Sequence, residues 1–152
     1  MSLFPELDED DIVYAMGKFA NMTSTGKTFE KKIAEHLRNK YPNNAIREQV
    51  KAGKHIGSNK KNYVVDILFN HDTLVSAKFQ GTGGTAEQKI MFEMNTLQKL
   101  CDKDGYKKAY LVYDGAGLTM TEQYKSDEMK EYVRAPSVIF VSFDEFKEMN
   151  IA

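Results

Sequence analysis

Two apolar runs separated by a short polar turn, Tyr63–Phe69 and Thr73–Gln80, most constrain what this chain can fold into. Both are rich in β-branched and aromatic residues, and Asn70-His71-Asp72 between them has turn composition, so the pair reads as a β-hairpin. Each strand carries a charge where the pattern calls for an apolar side chain. Val64-Val65-Asp66-Ile67-Leu68-Phe69 holds a carboxylate in its middle, and Leu74-Val75-Ser76-Ala77-Lys78-Phe79-Gln80 holds an ammonium. A buried charge without a partner is costly, so such a carboxylate is normally paired or bound to a metal. Side chains alternate along a strand, which puts Ser76, Lys78 and Gln80 on one face and Val75, Ala77 and Phe79 on the other. If Phe69 opposes Thr73, Asp66 opposes Ser76 and Lys78 becomes its diagonal neighbour, within reach of a long side chain. Taken alone, the arrangement suits a structural Asp–Lys pair as well as a reactive site.

Around the hairpin the periodicity predicts helices over residues 8–22, 27–39, 85–101, 121–133 and 143–149, and strands over 45–51, 108–113 and 137–141. Helix 27–39 has the stripe Phe29, Ile33, Ala34 and Leu37, preceded by a loop at 21–26. Helix 85–101 has Ile90, Met91, Met94, Leu97 and Leu100. Thr85 reads as its N-cap, with Gln88 in the capping-box position. Gly53 through Lys61 reads as a basic loop. No repeat or linker divides the 152 residues, a length that suits one domain with its own core. The order implies an α/β fold with a mixed sheet.

Charge is segregated. Residues 1–30 carry a net −4, residues 31–61 a net +7 and residues 62–152 a net −4, although the whole chain is only −1. A clustered basic segment is the footprint of a phosphate-contacting surface, and equally of a lysine-rich solvated face. One cysteine, Cys101, excludes a disulfide framework and suits a reducing compartment. No apolar run approaches the ~20 residues of a membrane span, and the first residues do not read as a signal peptide. An intracellular, cytoplasmic protein with no membrane association is expected. Gly26-Lys27-Thr28 is not a phosphate loop, because Asn21 stands where the first glycine belongs and no strand precedes it. His36, His55 and Cys101 lack zinc-ligand spacing.

The hairpin resembles the PD-(D/E)XK nucleases, which have an Asp on one strand, a short hairpin and then (Asp/Glu)-x-Lys on the next, and whose α-β-β-β-α-β core is similar to residues 27–113 here. The resemblance implies a restriction-endonuclease-like mixed β-sheet flanked by helices, in one nuclease domain over 1–152. It implies Mg²⁺ as cofactor, with Mn²⁺ as substitute, held by Asp66 and a second acid, and Lys78 orienting or activating the attacking water. The chain departs from the pattern at Ser76, where the motif has Asp or Glu two residues before the lysine. Some restriction enzymes of this superfamily have Ser-x-Lys on the strand and an acid on the following helix. Here that helix offers Glu93 and Glu87, and Glu93 resembles the displaced acid more closely. Glu87 would otherwise be a favourable charge at the helix start.

Several further roles follow from the resemblance. Glu30, on the preceding helix, would support the metal, unless it is half of a surface pair. Gln80, just beyond the lysine, would join the catalytic group, though a strand-end amide explains it equally. Gln88 and Lys89 stand where enzymes of the Ser-x-Lys type carry base-reading residues. Lys51, Lys54, Lys60 and Lys61 would hold the DNA backbone. The expected activity is Mg²⁺-dependent endodeoxyribonuclease, of restriction type or phage-borne, acting as a homodimer when it cuts both strands. A structure-specific repair or recombination nuclease is the alternative within that class. A DNA-binding protein on a decayed nuclease fold is the alternative outside it, and Ser76 is the residue that favours it.

Overall fold

In the computed structural model the hairpin forms as its pattern requires, pairing Phe69 with Thr73, Leu68 with Leu74 and Ile67 with Val75. Asn70 and His71 turn with φ of 54° and 65°. That left-handed region is far more accessible to Asn and His than to β-branched residues. Residues 24–56, 61–79, 86–115 and 134–152 are described. The elements run α1 (Ser24–Lys40), β1 (Ile46–Lys54), β2 (Asn62–Phe69), β3 (Thr73–Phe79), α2 (Ala86–Asp104), β4 (Lys108–Asp114), β5 (Val138–Ser142) and α3 (Phe143–Glu148). The helices expected over 8–22 and 121–133, and the glycine break at 81–84, lie outside the described residues.

The strands form one five-stranded sheet in the order β1-β2-β3-β4-β5. β1, β2 and β3 are antiparallel neighbours, whereas β3, β4 and β5 run parallel. Parallel neighbours need a crossover, and α2 supplies it between β3 and β4. The helices cover both faces. Ile90, Met94, Leu97 and Leu100 of α2 pack on Leu74, Ala109, Leu111, Val138 and Phe140. Phe29, Ile33, Ala34 and Leu37 of α1, with Phe146 of α3, pack on Val75, Tyr110, Val112 and Val141. The alternation expected of strands is thus kept through β3, β4 and β5. Fully buried aliphatic side chains such as Ile33, Leu37 and Leu97 contribute about 1.5–3 kcal/mol each. α3 begins with a capping box, Ser142 and Glu145 each accepting from the other's backbone N–H.

Two boundaries differ from expectation. α1 starts at Ser24 and takes in Gly26, which had read as loop. A helical glycine costs about 1 kcal/mol relative to alanine, less than the apolar stripe behind it recovers. β1 extends to Lys54 and takes in Gly53, also expected in a loop. Gly53 adopts φ +153°, and a β-carbon there would stand 2.5 Å from Leu100 Cδ2 and 2.8 Å from Asp104 Oδ2. Only glycine lets the strand pass so close beneath the C-terminal end of α2.

Candidate active site

The paired register of β2 and β3 ends at Ile67 and Val75, one residue short of Asp66. From there the Asp66 side chain takes over. Its Oδ2 accepts the Ala77 backbone N–H at 2.9 Å and lies 3.5 Å from the Ser76 hydroxyl oxygen. The expected opposition of Asp66 and Ser76 is therefore made through side chains rather than through a backbone ladder.

A change of face accompanies this parting. On β2, Val65 packs with the α2 cluster while Ile67 and Phe69 pack with the α1 cluster. On β1, Ile46 packs on the α1 side while Val50 and Ala52 pack on the α2 side. Residues two apart on a regular strand share a face, so both strands break alternation at the same level. The break on β1 coincides with Gln49, whose φ is 54°. Glu48 pairs with Ile67 and Val50 with Val65, so Gln49 sits beside Asp66 in the sheet. A non-glycine residue in that backbone region costs on the order of 1–3 kcal/mol and tends to mark a functional place.

α2 brings in the next group. Ile90 and Leu97 turn toward the core, and Glu93, three residues after one and four before the other, shares their side of the helix. Its Oε1 accepts the Ser76 hydroxyl at 2.5 Å and the Tyr63 phenol at 2.8 Å. Its Oε2 faces Lys78 Nζ at 2.5 Å. Lys78 thus makes its close ion pair with Glu93, where the sequence pattern had suggested Asp66. Burial disfavours the Glu93 carboxylate, but the Lys78 charge and the hydrogen bonds from Lys78 and Ser76 outweigh it and hold the carboxyl below its ordinary pKa. Burial likewise disfavours the Lys78 ammonium, and Glu93, with Asp66 behind it, overrides this and raises its pKa. Burial, then the charges of Glu93 and Asp66, push the Tyr63 phenol well above its usual value, which keeps it a donor.

Glu30 is fully buried, which overturns a surface placement for it. Its Oε1 accepts Gln49 Nε2 at 2.5 Å, and Gln49 is itself buried. Phe29, next to Glu30, packs its ring 6.0 Å from that of Phe79, so this part of α1 lies over the β3 end that carries Lys78. Sequence reasoning missed Gln49 and Tyr63. Strict alternation sets Tyr63 on the face opposite Asp66, and nothing in Glu48-Gln49-Val50 announces a left-handed residue.

Lys51, Lys54 and Lys61 lie along the β1–β2 hairpin, and Lys89 lies on α2. Lys51 pairs with Val64 and Lys54 with Asn62, and Lys54 Nζ also donates to the Asn62 side chain. Lys61 and Lys89 are exposed. Lys60 and Gln80 lie outside the described residues, as do the side chains of Glu87 and Gln88.

No three His, Cys, Asp or Glu residues converge as a metal cage among the described residues. Magnesium does not require one, since it is commonly held by one or two carboxylates plus waters and substrate phosphate oxygens. Asp66 and Glu93 supply two carboxylates that touch the same Ser76 hydroxyl. Gln49 Oε1 adds a buried oxygen with no hydrogen-bond donor among the described residues. The two carboxylates fit a divalent cation, and Asp66 and Glu93 are the residues that would hold it.

A mixed five-stranded sheet flanked by helices, with an Asp and a Lys on two central strands and an acid from the following helix, defines the restriction-endonuclease-like class of α/β proteins. Residues 21–135 match the PD-(D/E)XK nuclease superfamily domain, and the chain belongs to that superfamily. Neither the curated proteins nor the solved structures give a significant match.

Proposed function

We propose that this chain is a divalent-metal-dependent endodeoxyribonuclease, one domain over residues 1–152, that hydrolyses phosphodiester bonds in DNA. The observation that carries the reading is the Ser76 hydroxyl, which contacts the carboxylates of Asp66 and Glu93 while Glu93 also holds Lys78. An acid from α2 thus occupies the neighbourhood where the superfamily motif has a strand acid. The contact supports reading Glu93 as the displaced acid, and so weighs against the decayed site that Ser76 favoured.

Asp66 and Glu93 are the residues proposed to hold Mg²⁺ or Mn²⁺. Such a cation supplies Lewis-acid polarisation of the phosphate and lowers the pKa of a water nucleophile. Lys78, kept as an ammonium by its carboxylate neighbours, donates to charge developing on the scissile phosphate. Ser76 and Tyr63 orient Glu93. Lys51, Lys54, Lys60, Lys61 and Lys89 attract the DNA backbone. The biological role proposed is a restriction-type or phage-borne site-specific enzyme acting in the cytoplasm, and cutting both strands calls for a homodimer.

Incubation with supercoiled, single-stranded and branched DNA in Mg²⁺, Mn²⁺ or EDTA tests this directly. Conversion of supercoiled DNA to linear in Mg²⁺ and Mn²⁺, and none in EDTA, is the expected result. Cutting confined to branched DNA reassigns the enzyme to repair or recombination. DNA binding without cleavage under any metal overturns the enzymatic reading.

A further inference from the structure

We infer that Gln49 is a positioning residue of the metal site, fixing Glu30 and presenting a carbonyl oxygen to the hydrated cation. The inference rests on the nuclease reading and adds to it a residue outside the superfamily motif.

Three independent features single Gln49 out. Its backbone is left-handed, φ 54°, in the body of a strand that keeps its register on both sides. Its amide is buried, although Gln is ordinarily an exposed residue. One end of that amide is engaged, Nε2 donating to the buried Glu30 carboxylate at 2.5 Å, while Oε1 has no donor among the described residues. Buried polar atoms are nearly always satisfied, and an exception calls for a ligand, an ion or a water as its explanation. The place of the exception points to one. Register sets Gln49 beside Asp66, at the level where both strands change face. Residues behind metal-binding carboxylates typically accept from or donate to the primary ligands and their waters, and their loss weakens metal affinity or activity about 10–100-fold.

The geometry also explains the backbone. A regular extended Gln49 would continue the alternation of β1 and direct its side chain elsewhere. The positive φ is what lets a strand residue reach the Glu30 carboxylate of the helix above.

The test uses the full chain and Mn²⁺ alone as probe, with binding read by calorimetry and folding by thermal denaturation in EDTA. Gln49→Leu keeps the bulk and removes both polar ends. Gln49→Gly removes the side chain and accommodates the backbone angle, so it separates amide loss from backbone strain. Both variants are expected to bind Mn²⁺ at least about 10-fold more weakly than the parent. Single-turnover cleavage at saturating DNA should fall by a similar factor, with KM for DNA unchanged within about twofold. Asp66→Asn, the reference, should lose Mn²⁺ binding entirely. If Asp66→Asn loses the metal while both Gln49 variants bind it as the parent does, Gln49 is only a structural residue and this inference alone fails. If Asp66→Asn binds Mn²⁺ normally, the metal site is misplaced and both readings fall.

Discussion

The Ser76 hydroxyl donates to the Glu93 carboxylate at 2.5 Å, linking the strand position where the superfamily motif has an acid to an acid on the next helix. Glu93→Gln should therefore abolish Mn²⁺ binding and cleavage, while Glu87→Gln should retain both. The double variant Ser76→Glu/Glu93→Gln, which returns a carboxylate to the strand, should recover part of the metal affinity. Calorimetry and plasmid cleavage measure this. Full activity in Glu93→Gln with loss in Glu87→Gln would transfer the role to Glu87.

Asp66→Asn and Lys78→Ala should each lower cleavage by at least about 100-fold and change DNA affinity little, since electrostatic contributions to the chemical step are commonly of that size. Lys78→Ala also leaves the Glu93 carboxylate without its cation. The resulting loss of stability in EDTA should be less than the roughly 3–5 kcal/mol of a fully buried pair, because Lys78 keeps 28% of its side chain exposed. Denaturant unfolding and single-turnover kinetics on the same preparations separate the two effects. Variants that unfold yet retain activity per folded molecule would make the pair purely structural.

In metal-free buffer the Lys78–Glu93 pair should make stability depend on pH in a defined direction. The Glu93 carboxyl is held below 4.5 in the folded protein. Its contribution is therefore present above that value and is lost as pH falls through the lower folded value. Lys78 is raised above 10.5, so its contribution is present below that value and lost as pH rises past the folded one. The difference in melting temperature between parent and Glu93→Gln should stay flat from about pH 5 to 10 and shrink below about pH 4.5. A difference that grows on acidification would contradict the pairing.

Gly53→Ala should destabilise the fold without touching the site. The new methyl meets Leu100 and Asp104, and the backbone sits at φ +153°. A loss of about 1–3 kcal/mol is expected, or a fall in melting temperature of roughly 2–10 °C for a domain of this size. Cleavage at low temperature should persist. An unchanged melting temperature would mean that β1 does not pass so close to α2.

Replacing Lys51 and Lys61 together by alanine should weaken binding to all DNA sequences alike. Each phosphate contact contributes a slope of about −0.9 in log affinity against log salt, so the slope should flatten by roughly two. Catalysis at saturating DNA should stay near the parent value. Unaltered affinity and slope would mean that the basic segment is a solvated face and DNA lies elsewhere.

What the sequence determined by itself follows from short-range rules. Strand and helix periodicity set the order of the described elements and the Phe69–Thr73 register of the hairpin. Asp66 and Lys78 stood out because a charge inside an apolar strand demands a reason. Tertiary structure decided the rest. Which carboxylate of α2 meets Ser76 depends on how Ile90 and Leu97 seat that helix on the sheet, a rotation that no local pattern specifies. Glu30 lay at the margin of its apolar stripe in sequence, and only packing against the sheet buries it. Tyr63 and Gln49 were hidden because alternation is a rule for regular strands, and β1 and β2 both abandon it at the level of Asp66. That irregularity is held by contacts between residues far apart in the chain, among them Gln49 with Glu30, and such contacts exist only once the sheet and its covering helices have come together.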